Sequence, residues 1–134
     1  MLSGSLGAGK SPLARALIAA RLAALGRSEA IPSPSYTLVQ SYDLDGTELW
    51  HADLYRLGSS DELAELGLED AFATAICVVE WADRLGSARP ARTLAIHLDF
   101  AHASGDARRA TFTSAGPGWD WLPDALAGLD DPRP

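Results

Sequence analysis

In 134 residues the chain carries one cysteine, one methionine and one lysine. The lone Cys77 excludes an internal disulfide, and its place inside an apolar run marks it as a small buried side chain. No stretch approaches the roughly 18 to 20 consecutive apolar residues of a membrane span, and the start lacks a basic-then-apolar leader. The expected compartment is therefore the cytoplasm, with no membrane partner. Basic residues are also few, 11 against 18 acidic, for a net charge of −7. That balance excludes broad attraction to phosphodiester backbones, so any nucleic acid is expected to be held mainly by a partner. Ten of the 11 basic residues are arginine. The remaining one, Lys10, falls inside a glycine-rich loop.

What is present begins with that loop. Gly4-Ser5-Leu6-Gly7-Ala8-Gly9-Lys10-Ser11 satisfies G-x-x-x-x-G-K-S/T. In such a loop backbone N–H groups surround phosphates, and the following helix adds the positive end of its dipole. Lys10 is expected to reach the β and γ phosphates of ATP or GTP, and the Ser11 hydroxyl to take one magnesium position. The plain alternative is a chance glycine turn ahead of an ordinary helix.

The hydrophobic content, 47%, allows a core of ordinary size for one α/β unit over residues 1–134. From Lys10 to Leu25, Leu13, Leu17, Ala20 and Ala24 recur at helical spacing, widened by Ile18, Leu22 and Leu25, and Gly26 ends the helix. Pro32 and Pro34 predict a loop over Ile31–Ser35. Tyr36–Leu44 and Leu49–Tyr55 alternate as two strands around an Asp45-Gly46 hairpin turn, with Leu49, His51, Asp53 and Tyr55 on one face. Ser59–Phe72 reads as one or two short helices with Ser60 cap-like and a break near Gly67. Ile76–Val79, closed by Glu80, reads as a strand buried on both faces. Thr93–Phe100 and Ala110–Thr113 read as two strands joined by a polar loop, Trp119–Leu129 as a closing helix, and about 129–134 as a frayed tail. No internal repeat or low-complexity block is present.

Two further positions bear on chemistry. Magnesium in a P-loop site needs a carboxylate at the end of a neighbouring buried strand, and Glu80 after four apolar residues fits. Its alternative is a surface acid that merely ends a strand. His51 and Asp53 share a strand face, where they can orient water or sense the γ phosphate. The alternative pairs Asp53 with Arg56 and leaves His51 half-exposed.

The loop, SPSYTLV at Ser33–Val39, HADLYRL at His51–Leu57, ELAELGLED at Glu62–Asp70 and VEWADR at Val79–Arg84 occur in order. Together they closely resemble the TsaE (YjeE) family of bacterial ATPases for tRNA threonylcarbamoyladenosine biosynthesis. The resemblance is specific from Leu2 to Arg84 and looser to Phe112. It implies a three-layer P-loop NTPase fold with a mixed sheet, slow ATP hydrolysis with Mg2+, and docking onto TsaB and TsaD, with tRNA reached only through that complex. By the same resemblance Ser11 and Glu80 match the magnesium ligands, Lys10 the phosphate lysine and Asp53 the functional acid. Gly4, Gly7, Ala8 and Gly9 match the cradle, and Thr37 a switch-like threonine. Trp81 matches the family tryptophan near nucleotide or partner, with a structural aromatic as the alternative.

Two departures from the family pattern shape the expectations. Only Met1, Leu2 and Ser3 precede Gly4, so the strand feeding the loop is expected to be short, exposing pairing edges and removing core area. Pro12 stands where the family has threonine or serine. Proline in a helix's first turn breaks no intrahelical bond. It nevertheless lacks the N–H that donates to the α phosphate, and it biases Ser11 away from helical backbone. Two other readings stay open: a small-molecule P-loop kinase, with Arg84, Arg89 and Arg92 as its lid, and a non-catalytic nucleotide-dependent binding module.

Overall fold

A computed structural model describes residues 1–101 and 105–129. The glycine loop joins a three-residue strand, β1 (Leu2–Gly4), to helix α1 (Lys10–Ala24). The chain continues through β2 (Val39–Leu44), β3 (Thr47–Asp53), α2 (Ser60–Glu65), α3 (Leu68–Thr74) and β4 (Ile76–Glu80). Helical turns over Ala82–Ala88, kinked at Gly86, lead to β5 (Thr93–Phe100), β6 (Arg108–Ala115) and α4 (Leu122–Ala127). One sheet has the order β2-β3-β4-β1-β5-β6. The pairings from β3 through β5 are parallel, and β2 and β6 are antiparallel edges.

The layers follow from strand alternation. On one face Ala14, Ile18 and Leu22 of α1 pack on Leu2, Tyr42, Leu44, Leu49, Val78, Ile96 and Leu98. On the other, Leu63, Leu68, Ala82 and Leu85 cover Ala52, Leu54 and Val79. This is the expected three-layer α/β arrangement. Each fully buried leucine or isoleucine contributes about 1.5–3 kcal/mol.

The buried stripe of α1 keeps Ile18 and Leu22 of the predicted one but is rotated away from the rest. Lys10, Ala14, Ile18 and Leu22 are buried, while Leu17, Ala20 and Ala24 face outward. Four-residue steps from Lys10 set this face, because the lysine must point into the loop it follows. A Schellman bond pair ends the helix at Gly26: Arg27 N–H donates to the Leu22 carbonyl (2.9 Å) and Gly26 N–H to that of Ala23 (2.9 Å).

Elsewhere the boundaries shift. Residues 35–37 form a turn rather than the start of a strand, because Leu38 N–H is taken by the Pro34 carbonyl at 2.7 Å. The Asp45-Gly46 hairpin and the break at Gly67 are as expected, with Ser59 rather than Ser60 at the N-cap of α2. Strand β4 is buried only in its second half, since Ile76 is exposed and Cys77 half-buried. Strand β6 is twice as long as predicted and α4 shorter. The helical turns after Trp81 escaped sequence reading, since seven residues are too few to show a period. The expected tail, apart from Leu129, and the middle of the polar loop at 102–104 lie outside the described residues.

Strand β1 lies centrally, aligning Leu2 with both Glu80 and Ile96. Its neighbours β4 and β5 start further back, and the Met1 nitrogen donates to the Leu94 carbonyl at 2.8 Å. A cleft of about 320 Å³ opens between them, walled by Leu17, Phe72, Ile76, Cys77 and Leu94 among others.

Candidate functional site

The loop Gly4–Ser11 sits at the carboxyl ends of the parallel strands β3, β4 and β1, where α/β sheets place ligands. A cleft of about 310 Å³ there is lined by Leu6, Gly7, Gly9, Lys10, Ser11, Pro12, Ser35, Asp53, Tyr55, Glu80 and Trp81. Gly4 approaches β5 so closely that a Cβ on it would collide with the Leu98 carbonyl, and its φ of +139° favours glycine independently. Gly9, at φ +112°, turns the loop into α1. Ala8 is buried, and its N–H donates to the Ser5 carbonyl at 3.0 Å.

Lys10 is folded back onto its own loop. Its ammonium donates to the carbonyls of Gly4 (2.6 Å) and Ser5 (2.9 Å) and lies 4.1 Å from the centroid of the Trp81 ring. Burial pushes its pKa down, against the opposing charges of Glu80, Asp53 and Asp83. Trp81 holds this position on a left-handed backbone (φ 57°) and packs at a tilt of 43° against Tyr55, with ring centroids 4.9 Å apart. A non-glycine residue in that region costs about 1–3 kcal/mol, and such strain gathers at functional sites.

Ladder pairing of Asp53 with Glu80 puts two acids side by side at the strand ends. Glu80 is 1% exposed, so it is not a surface acid. Its Oε1 accepts the Ser11 hydroxyl at 2.5 Å, and its Oε2 meets His51 Nε2 at 2.6 Å. Burial alone would raise its pKa; the bonds from His51 and Ser11, with the positive charge of Lys10, outweigh burial and hold it below 4.5. Asp53 is also buried, accepting Tyr55 N–H at 3.0 Å and the Ser35 hydroxyl at 3.4 Å. Arg56 stacks over Tyr36 instead of pairing with Asp53. His51 is fully buried, not half-exposed.

The structure thus gathers Gly7, Gly9, Lys10, Ser11, Asp53, Glu80 and Trp81 around one cleft, with Gly4 and Ala8 beneath it. Thr37 is not among the lining residues. It is exposed, and its hydroxyl accepts from Gln40 at 3.2 Å. From the same segment Ser35 faces inward, which sequence reading missed, because a turn has no period to tell one hydroxyl from its neighbour. Pro12 does not displace Ser11 from the helix: Ser11 lies within α1, and Leu13 N–H bonds the Gly9 carbonyl at 3.1 Å. The bias proline exerts is overridden by these anchors.

The donor set suits a small hard cation that keeps much of its ligand shell as water and phosphate. Ser11 and Glu80 offer two oxygens, and no cluster of three or more His, Cys, Asp or Glu side chains occurs among the described residues. No helix of the described residues is long and apolar enough to cross a membrane.

The model of one protein family, "Threonylcarbamoyl adenosine biosynthesis protein TsaE", matches residues 1–110. The TsaE protein of Haemophilus influenzae is 37% identical over 100 residues, 74% of this chain and 61% of that protein. The Bacillus subtilis TsaE is 32% identical over 131 residues, 97% of this chain and 78% of that protein. The crystal structure of YdiB from Bacillus subtilis superposes with a TM-score of 0.63 at 27% identity, covering 95% of this chain and 74% of YdiB. With motifs, fold and site in agreement, the chain belongs to the TsaE family of tRNA threonylcarbamoyladenosine biosynthesis proteins.

Proposed function

We propose that the chain binds ATP with Mg2+ in the Gly4–Ser11 loop, hydrolyses it slowly, and thereby supports threonylcarbamoyl modification of the adenosine beside the tRNA anticodon in the cytoplasm. TsaB and TsaD are its partners, and tRNA is met only through them. The observation that supports this most directly is the 2.5 Å contact of Ser11 with Glu80 beside Lys10 in a single cleft.

Ser11 and Glu80 would hold the magnesium ion, whose chemistry is to neutralise charge on the phosphates. Lys10 leaves the carbonyls of Gly4 and Ser5 for the β and γ phosphates, an exchange of neutral acceptors for charged ones. Asp53, buried and held by Tyr55 and Ser35, orients the attacking water. Trp81, over Lys10, lies against the nucleotide or the partner, and Thr37 approaches only if its segment moves.

One observation favours a second reading, a nucleotide-dependent binding module without turnover: Pro12 lines the cleft and has no N–H to offer the α phosphate. The same experiment separates the two. Purified chain is mixed with TsaB and TsaD, and phosphate release is followed with and without magnesium. Magnesium-dependent release that is lost in Lys10→Ala supports the enzyme. Complex formation without release supports the module, and neither binding nor release removes both.

A further inference from the structure

We propose that His51 is a positioning residue that fixes which oxygen of Glu80 is presented to a cation. The inference rests on reading the cleft as a magnesium–nucleotide site and names a residue beyond that reading's ligands. His51 lies in β3 two positions before Asp53, aligned with Val78 of β4, and is 0% exposed. A carboxylate has only acceptor oxygens, so in the 2.6 Å contact between His51 Nε2 and Glu80 Oε2 the imidazole nitrogen is the donor. Ser11 occupies the other oxygen, Oε1, at 2.5 Å. The two carboxylate oxygens are therefore divided: one is held from within the sheet, the other faces the loop.

A free glutamate can rotate its carboxylate and offer either oxygen or both. With Oε2 held, only Oε1 stays beside the Ser11 hydroxyl, so the two oxygen donors meet a cation in one fixed arrangement. The other ring nitrogen of His51 supports this role. Nδ1 is buried and has no hydrogen-bond partner among the described residues, which makes histidine a poor choice for packing alone. An apolar side chain of similar size would fill the space without an orphaned polar atom. What histidine supplies that leucine cannot is the donor to Glu80.

The test is calorimetric titration of the full chain with ATP, once in magnesium and once in EDTA, for wild type, His51→Asn and His51→Gln. Asparagine is too short to reach Glu80, whereas glutamine carries an N–H further out. Outer partners of metal ligands affect metal affinity by about 10–100-fold. The magnesium enhancement of ATP affinity is expected to fall about tenfold or more in His51→Asn and to recover, at least in part, in His51→Gln, with affinity in EDTA unchanged. If His51→Asn keeps the full enhancement, or loses affinity equally in both buffers, the positioning role is wrong and the nucleotide reading survives. A wild-type chain whose ATP affinity ignores magnesium overturns that reading, and this proposal with it. Circular dichroism of each variant confirms the fold; should His51→Asn not fold, His51→Leu, which has no donor, takes its place with the same two outcomes.

Discussion

The Ser11 hydroxyl and the Glu80 carboxylate, 69 positions apart in the chain, meet at 2.5 Å. Ser11 is held by the start of α1, and Glu80 by the end of a strand paired on both sides. Neither position depends on a mobile side chain reaching outward, since both elements are fixed by the core on the α1 face. The contact joins the loop to the sheet.

Pro12 defines a sharp prediction, because its missing donor lies at the cleft while Ser11 keeps its helical place. Pro12→Thr should tighten ATP binding by about tenfold to a hundredfold, the equivalent of one charge-assisted hydrogen bond of about 1.5–3 kcal/mol. Calorimetric titration reads this directly. An unchanged dissociation constant would show that the α phosphate does not use this position.

Gly4→Ala should destabilise the fold irrespective of ligand. The new methyl group meets the Leu98 carbonyl of β5, and φ of +139° is unfavourable for alanine. A loss on the order of 1–3 kcal/mol is expected, read as a lower denaturation midpoint. Gly7→Ala, where nothing lies within 4 Å of the added atom, should cost less.

The acid limb of stability should report Glu80. Its carboxyl is held below 4.5 in the folded chain, so the unfolded chain binds more protons as pH falls past that value. The stabilisation is complete above about 4.5 and is lost as pH drops through the folded value. Glu80→Gln should flatten that limb in denaturant titrations.

How much of this was legible beforehand depends on what kind of signal each residue carries. The loop and Glu80 were readable because glycines, one lysine and an apolar run ending in an acid each have a chemical reason at a fixed spacing. Leu49, His51 and Asp53 shared a face as alternation predicts. The partner of His51 was not readable: it lies 29 positions away and depends on strand order, which no local pattern encodes. The face of α1 is legible at Ile18 and Leu22 but not elsewhere, because leucines and alanines occur all around it and Leu17 is as eligible for burial as Ala14. Thr37 and Ser35 differ only by a turn, and the turn decides which one points inward.

The most direct measurement is a crystal structure of the chain with a non-hydrolysable ATP analogue and magnesium. The polyphosphate is expected along Gly4–Ser11, with Lys10 turned from the Gly4 and Ser5 carbonyls onto it and the metal beside Ser11 and Glu80. Nucleotide bound elsewhere, or a loop left empty with Lys10 still on its own carbonyls, would contradict it.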